Sequence, residues 1–509
     1  MSLDDVKFSS YACVHTSTDS NAAANLQYNP FKSNAYSTYT ATTVASRDIS
    51  YSSDTGNFTF EVSGTYFVLF DIPGIIAGSA TGVEGRIFVN TTEVYTSSSI
   101  YGHPSLDPRS YTFFGLVEVK AGDTLNVTVK TIHAGRTLSC QAGSQITLIR
   151  VRGDYGSIAY TADSTSTTGT RFMGDSDFGG TIDTKLKNVT YTASTGKLTP
   201  DNTSTFLMMQ SLIAQTDANT DIAVDLFANG SEIADSTYSV KTSSDPKETT
   251  YAILKSLTGG QTAGGRLEPS SGTANIIIEQ GSSFTIIDVS RDGSTPSAMT
   301  SITCGSDSNA LSSGSDTTCF SSAGWSSYNP TSHVTAAGIT YTQSNGRFSF
   351  TNAGKYLIYC NLLFNVSSGT TFTTKVKKNG SSTVYTGNVY IHNNFDPQEK
   401  TICLIVEADA SDYIQITANP SAGSTTFDEN CTISILKIDE FDEVYGEIAS
   451  TNQIGDDYTI NSLNSEVTGR QRHNTIDRAL PSSLIVPGPR NLRGRTTSYA
   501  PSLGGKTKK

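Results

Sequence analysis

ISYSSDTGNFTF, residues 49–60, returns as VTYTASTGKLTP over residues 189–200 and as ITYTQSNGRFSF over residues 339–350. In each copy a β-branched residue is followed by Ser or Thr, then Tyr, then a short polar run ending in Gly, then apolar residues at alternate positions. Such alternation gives a strand one buried face. Gly56, Gly196 and Gly346 supply the positive φ that a tight turn demands, after Asp54-Thr55, Ser194-Thr195 and Ser344-Asn345. The unit is a β-hairpin. Its turn glycines stand 140 and 150 residues apart, far beyond the roughly 20–50 residues of a solenoid repeat, so each copy marks a whole domain.

Outward from the first hairpin, short apolar runs separated by turn residues follow one another: YAC before it, then TYFVLFD (65–71), GRIFVN (85–90), YTFFGLVEV (111–119), TLNVTVKT (124–131) and QITLIRVR (145–152). The later copies keep this order. About eight to ten such strands per repeat predict a two-sheet sandwich. With 43 glycines and only 16% charged residues, the composition agrees with an all-β chain rich in turns. The organisation expected is three tandem jelly-roll β-sandwich domains, 1–152, 153–291 (divergent) and 292–440, followed by an extended basic C-terminal arm, 441–509. The Gly/Ser/Asp/Thr-rich stretches 153–180 and 291–322 are candidate linkers or long edge loops.

The ordered pattern resembles the globular heads of the complement and tumour necrosis factor superfamily. It does so through Asp54-Thr55-Gly56, Gly64-Thr65-Tyr66-Phe67 and Ala121-Gly122-Asp123 in the first repeat, and through Asn345-Gly346, Gly354-Lys355-Tyr356 and Asp412 in the third. The second repeat departs from it, with Pro200-Asp201-Asn202 in place of the expected turn and a Gly-rich insert at 259–265. The resemblance implies ten-stranded jelly rolls packed as a trimer around an axis lined by aromatic and apolar strands. On that basis Tyr66, Phe67, Leu69, Tyr356, Leu357 and Tyr359 are the expected trimer interface. Three such domains in one chain can close on one another, or each can trimerise with its counterparts in two further chains. Linkers of about thirty residues favour the second arrangement, a three-tiered homotrimeric rod.

No GxSxG, HExxH or paired CxxC is present, and the six histidines are scattered, so neither a nucleophile elbow nor a zinc site is expected. Gly174-Asp175-Ser176-Asp177 looks like an esterase block but has no Asp-x-x-His partner. No catalytic residues and no resident cofactor are predicted. The resembling family does carry Ca²⁺, for which Asp123, Asp409 and Asp412 are loop acids of the hard-oxygen type; solvated turns are the plainer reading. Arg152-Gly153-Asp154 is an integrin-type tripeptide that three common residues also make by chance. The seven cysteines read as small buried hydrophobes, with Cys304–Cys319 the best candidate for a disulfide. The N-terminus has no basic run before an apolar core, and no run of about eighteen apolar residues occurs, so neither a Sec signal nor a membrane span is expected.

Residues 439–457 are acidic. Beyond them Arg470, Arg472, Arg478, Arg490, Arg493, Arg495, Lys506, Lys508 and Lys509 stand against Asp477 alone, a net of +8, which leaves −20 of the chain's −12 for the rest. Basic, Pro/Gly-rich and without apolar period, this segment reads either as a solvated tail or as a docking arm that orders on a partner. Without interleaved aromatics it has only phosphate affinity, so nucleic acid is the least expected partner. The function expected is that of a non-enzymatic virion structural protein at the particle surface. It would be a capsid decoration, knob or fibre component of a phage or other virus, docked to capsid or tail proteins and exposed to host-surface glycans. A secreted complement-like ligand or adhesin is one alternative; a polysaccharide depolymerase is a second.

Overall fold

The hairpins form where the repeats predict them. The computed structural model describes residues 8–438 except 17–28, 33–40, 103–107, 134, 166, 218–219, 234–237, 243–245, 271–273, 291–295, 297, 325–328, 393–397 and 423–424. In it Ile49–Ser52 pairs with Asn57–Phe60, Val189–Thr192 with Lys197–Pro200, and Ile339–Thr342 with Arg347–Phe350. The turn glycines have φ of 71°, 65° and 66°. Each donates its N–H to the carbonyl four residues back, at 2.7, 3.0 and 2.9 Å. The tyrosine of each copy ties its hairpin to an earlier loop, donating its hydroxyl to the carbonyls of Phe31, Gly174 and Phe320 respectively.

The described residues are all-β, and every strand pairing among them is antiparallel. Among the described residues the only helical pieces are the 3-10 turns Ser176–Phe178 and Ser322–Gly324. Six sheets form three sandwiches. In the first, the inner sheet runs Arg109–Val119, Gly64–Ala77, Gln145–Val151, Phe8–Thr16, Ala41–Arg47, with Thr137–Cys140 also on Gly64–Ala77. The outer sheet runs Ile49–Ser52, Asn57–Phe60, Thr124–Thr131, Thr81–Val89, Thr92–Thr96. The same jelly-roll order recurs over residues 155–288 and 299–437.

Two expectations are corrected here. The stretches that read as linkers hold strands. Tyr155–Tyr160, within 153–180, joins the second inner sheet, and Met299–Cys304, within 291–322, joins the third. Only residues 152–154 separate the last strand of the first sandwich from the first strand of the second. The first two tiers therefore have no spacer, and only residues 289–298 separate the second sandwich from the third. The sandwiches instead pack against one another in one unit, residues 7–438, their inner sheets meeting at one junction. The strands Arg109–Val119, Lys247–Leu257 and Gln398–Ala408 meet there near their first residues, so the three modules point the same way.

Burial explains why this was hard to read. Gly64–Ala77, Ser204–Thr216 and Gly354–Val366 are buried almost throughout, because one face fills the sandwich and the other fills a seam. Polar strands survive in that setting when hydroxyls satisfy each other across neighbours, as Ser157 with Thr285 at 2.7 Å and Ser301 with Ser434 at 2.8 Å.

Candidate functional site

The expected interface residues divide by strand alternation. Tyr66 and Tyr356 point into their own sandwiches: each packs against the hairpin phenylalanine (Phe60 edge-on at 4.5 Å, Phe350 tilted at 4.2 Å) and donates its hydroxyl to the carbonyl of Val62 or Asn352. They reach no seam. Phe67, Leu69, Leu357 and Tyr359 point the other way and are at most 3% exposed within the single chain. Tyr359 donates 2.9 Å to the carbonyl of Thr250 in the second module. The faces assigned to sister chains are thus covered by sister modules. The nine cations of the arm lie outside the described residues.

The junction also contains charges that sequence reading missed. Asp71 follows the apolar run TYFVLF, and its side chain is fully buried against Lys400 of the third module, itself fully buried. Ser110 and Thr112 donate to Asp71 Oδ1 at 2.6 and 2.9 Å, and Lys400 Nζ also donates to Ser110 Oγ at 3.1 Å. A buried charge survives only when paired and hydrogen-bonded, and this pair is both. The first and second modules are joined by Arg109 and Glu248, 2.5 Å apart. Burial opposes the charge on Arg109, but Glu248, Tyr111 and Glu399 together offset it and hold the guanidinium pKa above its ordinary value. Burial pushes the Glu248 carboxyl up, against the pull of Arg109. The second and third modules meet through Glu399, which accepts from the Thr249 hydroxyl and, at 3.1 Å, from the Thr250 amide.

A second layer of bonds runs along the seam that closes the ring, between the first and third modules. The Gln145 amide donates 3.0 Å to the Thr401 carbonyl and accepts 3.1 Å from the Cys403 N–H, copying a backbone pair. Tyr385 donates 3.0 Å to the Gly143 carbonyl, and Thr147 donates to the Cys403 carbonyl. A lone charge inside a strand with apolar neighbours on both faces was the one available sequence signal for this junction; nothing in the sequence said which charges pair.

Other motifs are absorbed by structure. Both Asp154 oxygens of the integrin-type tripeptide accept 2.8 Å bonds, from Asn188 and Asn202. Asp175 caps the 3-10 turn through the Asp177 N–H. Asp123 accepts from the Lys120 N–H and from Asn90, and Asp412 from the Asp409 N–H and from Asn379. Bonds from Asn379 and Lys378 and from that amide hold the Asp412 carboxyl at about 2. Among the described residues no group of three or more His, Cys, Asp or Glu is placed to hold a metal. All seven cysteines are free and buried, so the Cys304–Cys319 disulfide is not formed. The backbone N–H of Cys304 donates to the Cys431 carbonyl, and that of Cys319 to the Ile416 carbonyl, which places the two on different strand partners. No helix is long and apolar enough to cross a membrane among the described residues.

No protein-family model and no curated protein matches the chain. Among solved structures, the Eiger tumour necrosis factor of S. frugiperda is 13% identical at TM-score 0.23, covering 29% of this chain and 97% of its own. A triple jelly-roll turret protein of an archaeal virus is 9% identical at TM-score 0.18, covering 82% and 89%. A tandem CBM22 domain pair from Paenibacillus barcinonensis Xyn10C is 9% identical at TM-score 0.17, covering 55% and 98%. At such scores the likenesses carry no argument, and the fold rests on the strand pairing itself.

Proposed function

We propose that this chain is a non-enzymatic virion structural protein, a decoration, knob or fibre component, whose trimer of jelly rolls is built within one polypeptide. The observation that carries the reading is the junction: three seams, each with its own ionic or hydrogen-bonded lock, join every pair of modules within the chain. Such a ring presents a fixed head without depending on chain concentration, which suits a particle component diluted after release. Its polarity supports attachment at one end. The first strand begins at Phe8 beside Val151, and Ile438 leaves beside Lys355, both at the end where Gly64–Ala77 and Gly354–Val366 begin. In this reading the opposite end is the one that meets solvent and host surface. The loop acids that suggested chemistry accept hydrogen bonds within turns and caps, which supports a role in assembly.

The basic arm is the docking element of this reading. Deleting residues 470–509 should leave a soluble head with unchanged thermal unfolding that no longer incorporates into particles. Unaltered incorporation refutes the arm's role. Full-length protein should run in solution as a single chain of 54.1 kDa; an obligate mass of three chains with exchanged modules refutes the intrachain trimer.

A further inference from the structure

Where the first module meets the second, two sheet edges run past each other: Thr92–Thr96, last in the first outer sheet, and Ile182–Lys187, last in the second inner sheet. Between the modules lies a half-open cleft of about 180 Å³. Tyr95 walls one side. Its ring passes over Gly115, where a Cβ would stand 3.3 Å from Cδ2, so the absent side chain lets the ring lie against the strand. Ser283 lines the other side, 2% exposed, and its Oγ has no hydrogen-bond partner in the protein. A buried hydroxyl left unmet costs about 1–3 kcal/mol, and few persist in native proteins without a cause. At the mouth stands Val94, 45% exposed, one of the three large apolar side chains that the described residues leave exposed.

We infer that this cleft is a subsite for one pyranose ring of a glycan. Its volume falls below the roughly 300–1,000 Å³ of pockets for drug-sized ligands, and a single sugar ring is the right scale. A sugar has an apolar C–H face and a rim of hydroxyls, and the cleft offers the complement of both. Tyr95 supplies an aromatic wall for the face. Ser283 supplies a hydroxyl that can donate or accept, and Glu93, Asp183 and Gln280 add polar groups around it. Asp183 is already neutralised by Lys185 at 2.9 Å and Glu93 by Arg86 at 2.7 Å, so the cleft suits a neutral polyol better than an ion. The subsite deepens the proposed function by naming the host-surface chemistry the head meets, and it rests on that reading only for where the glycan comes from.

The test is saturation-transfer NMR on the full chain with free glucose, galactose and N-acetylglucosamine at millimolar concentration. At least one sugar should receive saturation. Ser283→Ala should weaken its binding about three- to tenfold, the worth of one hydrogen bond. The same variant should melt at or above the wild-type temperature, because it deletes an unpartnered polar group; a purely structural serine predicts the reverse. Ala159→Leu, which fills the cleft, should abolish transfer. No transfer from any of the three sugars, transfer that survives both substitutions, or an extended peptide as the sole occupant overturns the inference. Sugar binding by a chain that never joins particles leaves the subsite standing and ends the assembly reading; incorporation without sugar binding ends only the subsite.

Discussion

Replacing Lys400 by Met is the sharpest probe of the junction. The methionine keeps the bulk of the lysine stem but leaves Asp71 fully buried without a cation, holding only the Ser110 and Thr112 hydroxyls. Breaking one side of a buried pair costs about 3–5 kcal/mol. How far this moves the melting temperature depends on what unfolds together. Unfolding entropy is about 2.1 cal/mol/K per residue, so 4 kcal/mol shifts a cooperative unit of about 430 residues by only about 4–5 °C. The same loss in a lone sandwich of about 145 residues would shift it by about 13 °C. Calorimetry on the variant therefore measures the loss and the size of the cooperative unit together. Asp71→Asn combined with Lys400→Met should recover most of the stability, since both charges go while an acceptor for the two hydroxyls stays. A single variant within about 1 kcal/mol of wild type, or a double variant no better than the single, would falsify the view that this pair locks the ring.

Three further outcomes are expected. Burial and nearby Asp163 raise the Glu279 carboxyl to about 7, and burial with Asp307 raises Asp428 to about 7. Folded pKa values above the unfolded ones, roughly 4, mean that the stability these groups lend is complete at acid pH and is lost as pH rises from about 4 through 7; urea titrations across that window should show it, and Glu279→Gln with Asp428→Asn should flatten the slope. Gly85→Ala should destabilise by about 1–3 kcal/mol, because its Cβ would stand 2.5 Å from the Phe113 ring; a neutral effect in denaturant melts contradicts the packing there. Native protein should show no fast-reacting thiol toward an aromatic disulfide reagent and seven after denaturation, since every cysteine is free and buried; a native cross-link or an early-labelling thiol contradicts this.

The hairpins were legible because their signals are local. A turn glycine, two small polar residues and period-two alternation need no knowledge of the rest of the chain, and all three copies formed as read. The strands Tyr155–Tyr160 and Met299–Cys304 were not legible, because Gly, Ser and Thr read as loop until a neighbouring hydroxyl is available to satisfy them. That error produced the linkers, and the linkers produced the stacked rod. The apolar runs were read correctly as faces awaiting cover. Sequence showed that cover was needed but not which copies supply it, because Gln145 and Thr401, or Asp71 and Lys400, meet only through tertiary closure. Tyr66 and Tyr356 were misassigned for a simpler reason: in a strand buried on both sides, every second apolar residue belongs to the other face.

The register of the long strands has a last implication for how such a molecule changes over generations. Asp71 lies opposite Thr112, Ser211 opposite Thr250 and Asn361 opposite Thr401, so the three occupy matching places in their modules. By the same count Lys400 matches Tyr111 and Thr249. A lock that needs different residues at matching places is open only to parts that can diverge separately. Three copies of the first module would bring three aspartates to the junction and no Lys400, so the lock seen here can be made only by modules that differ.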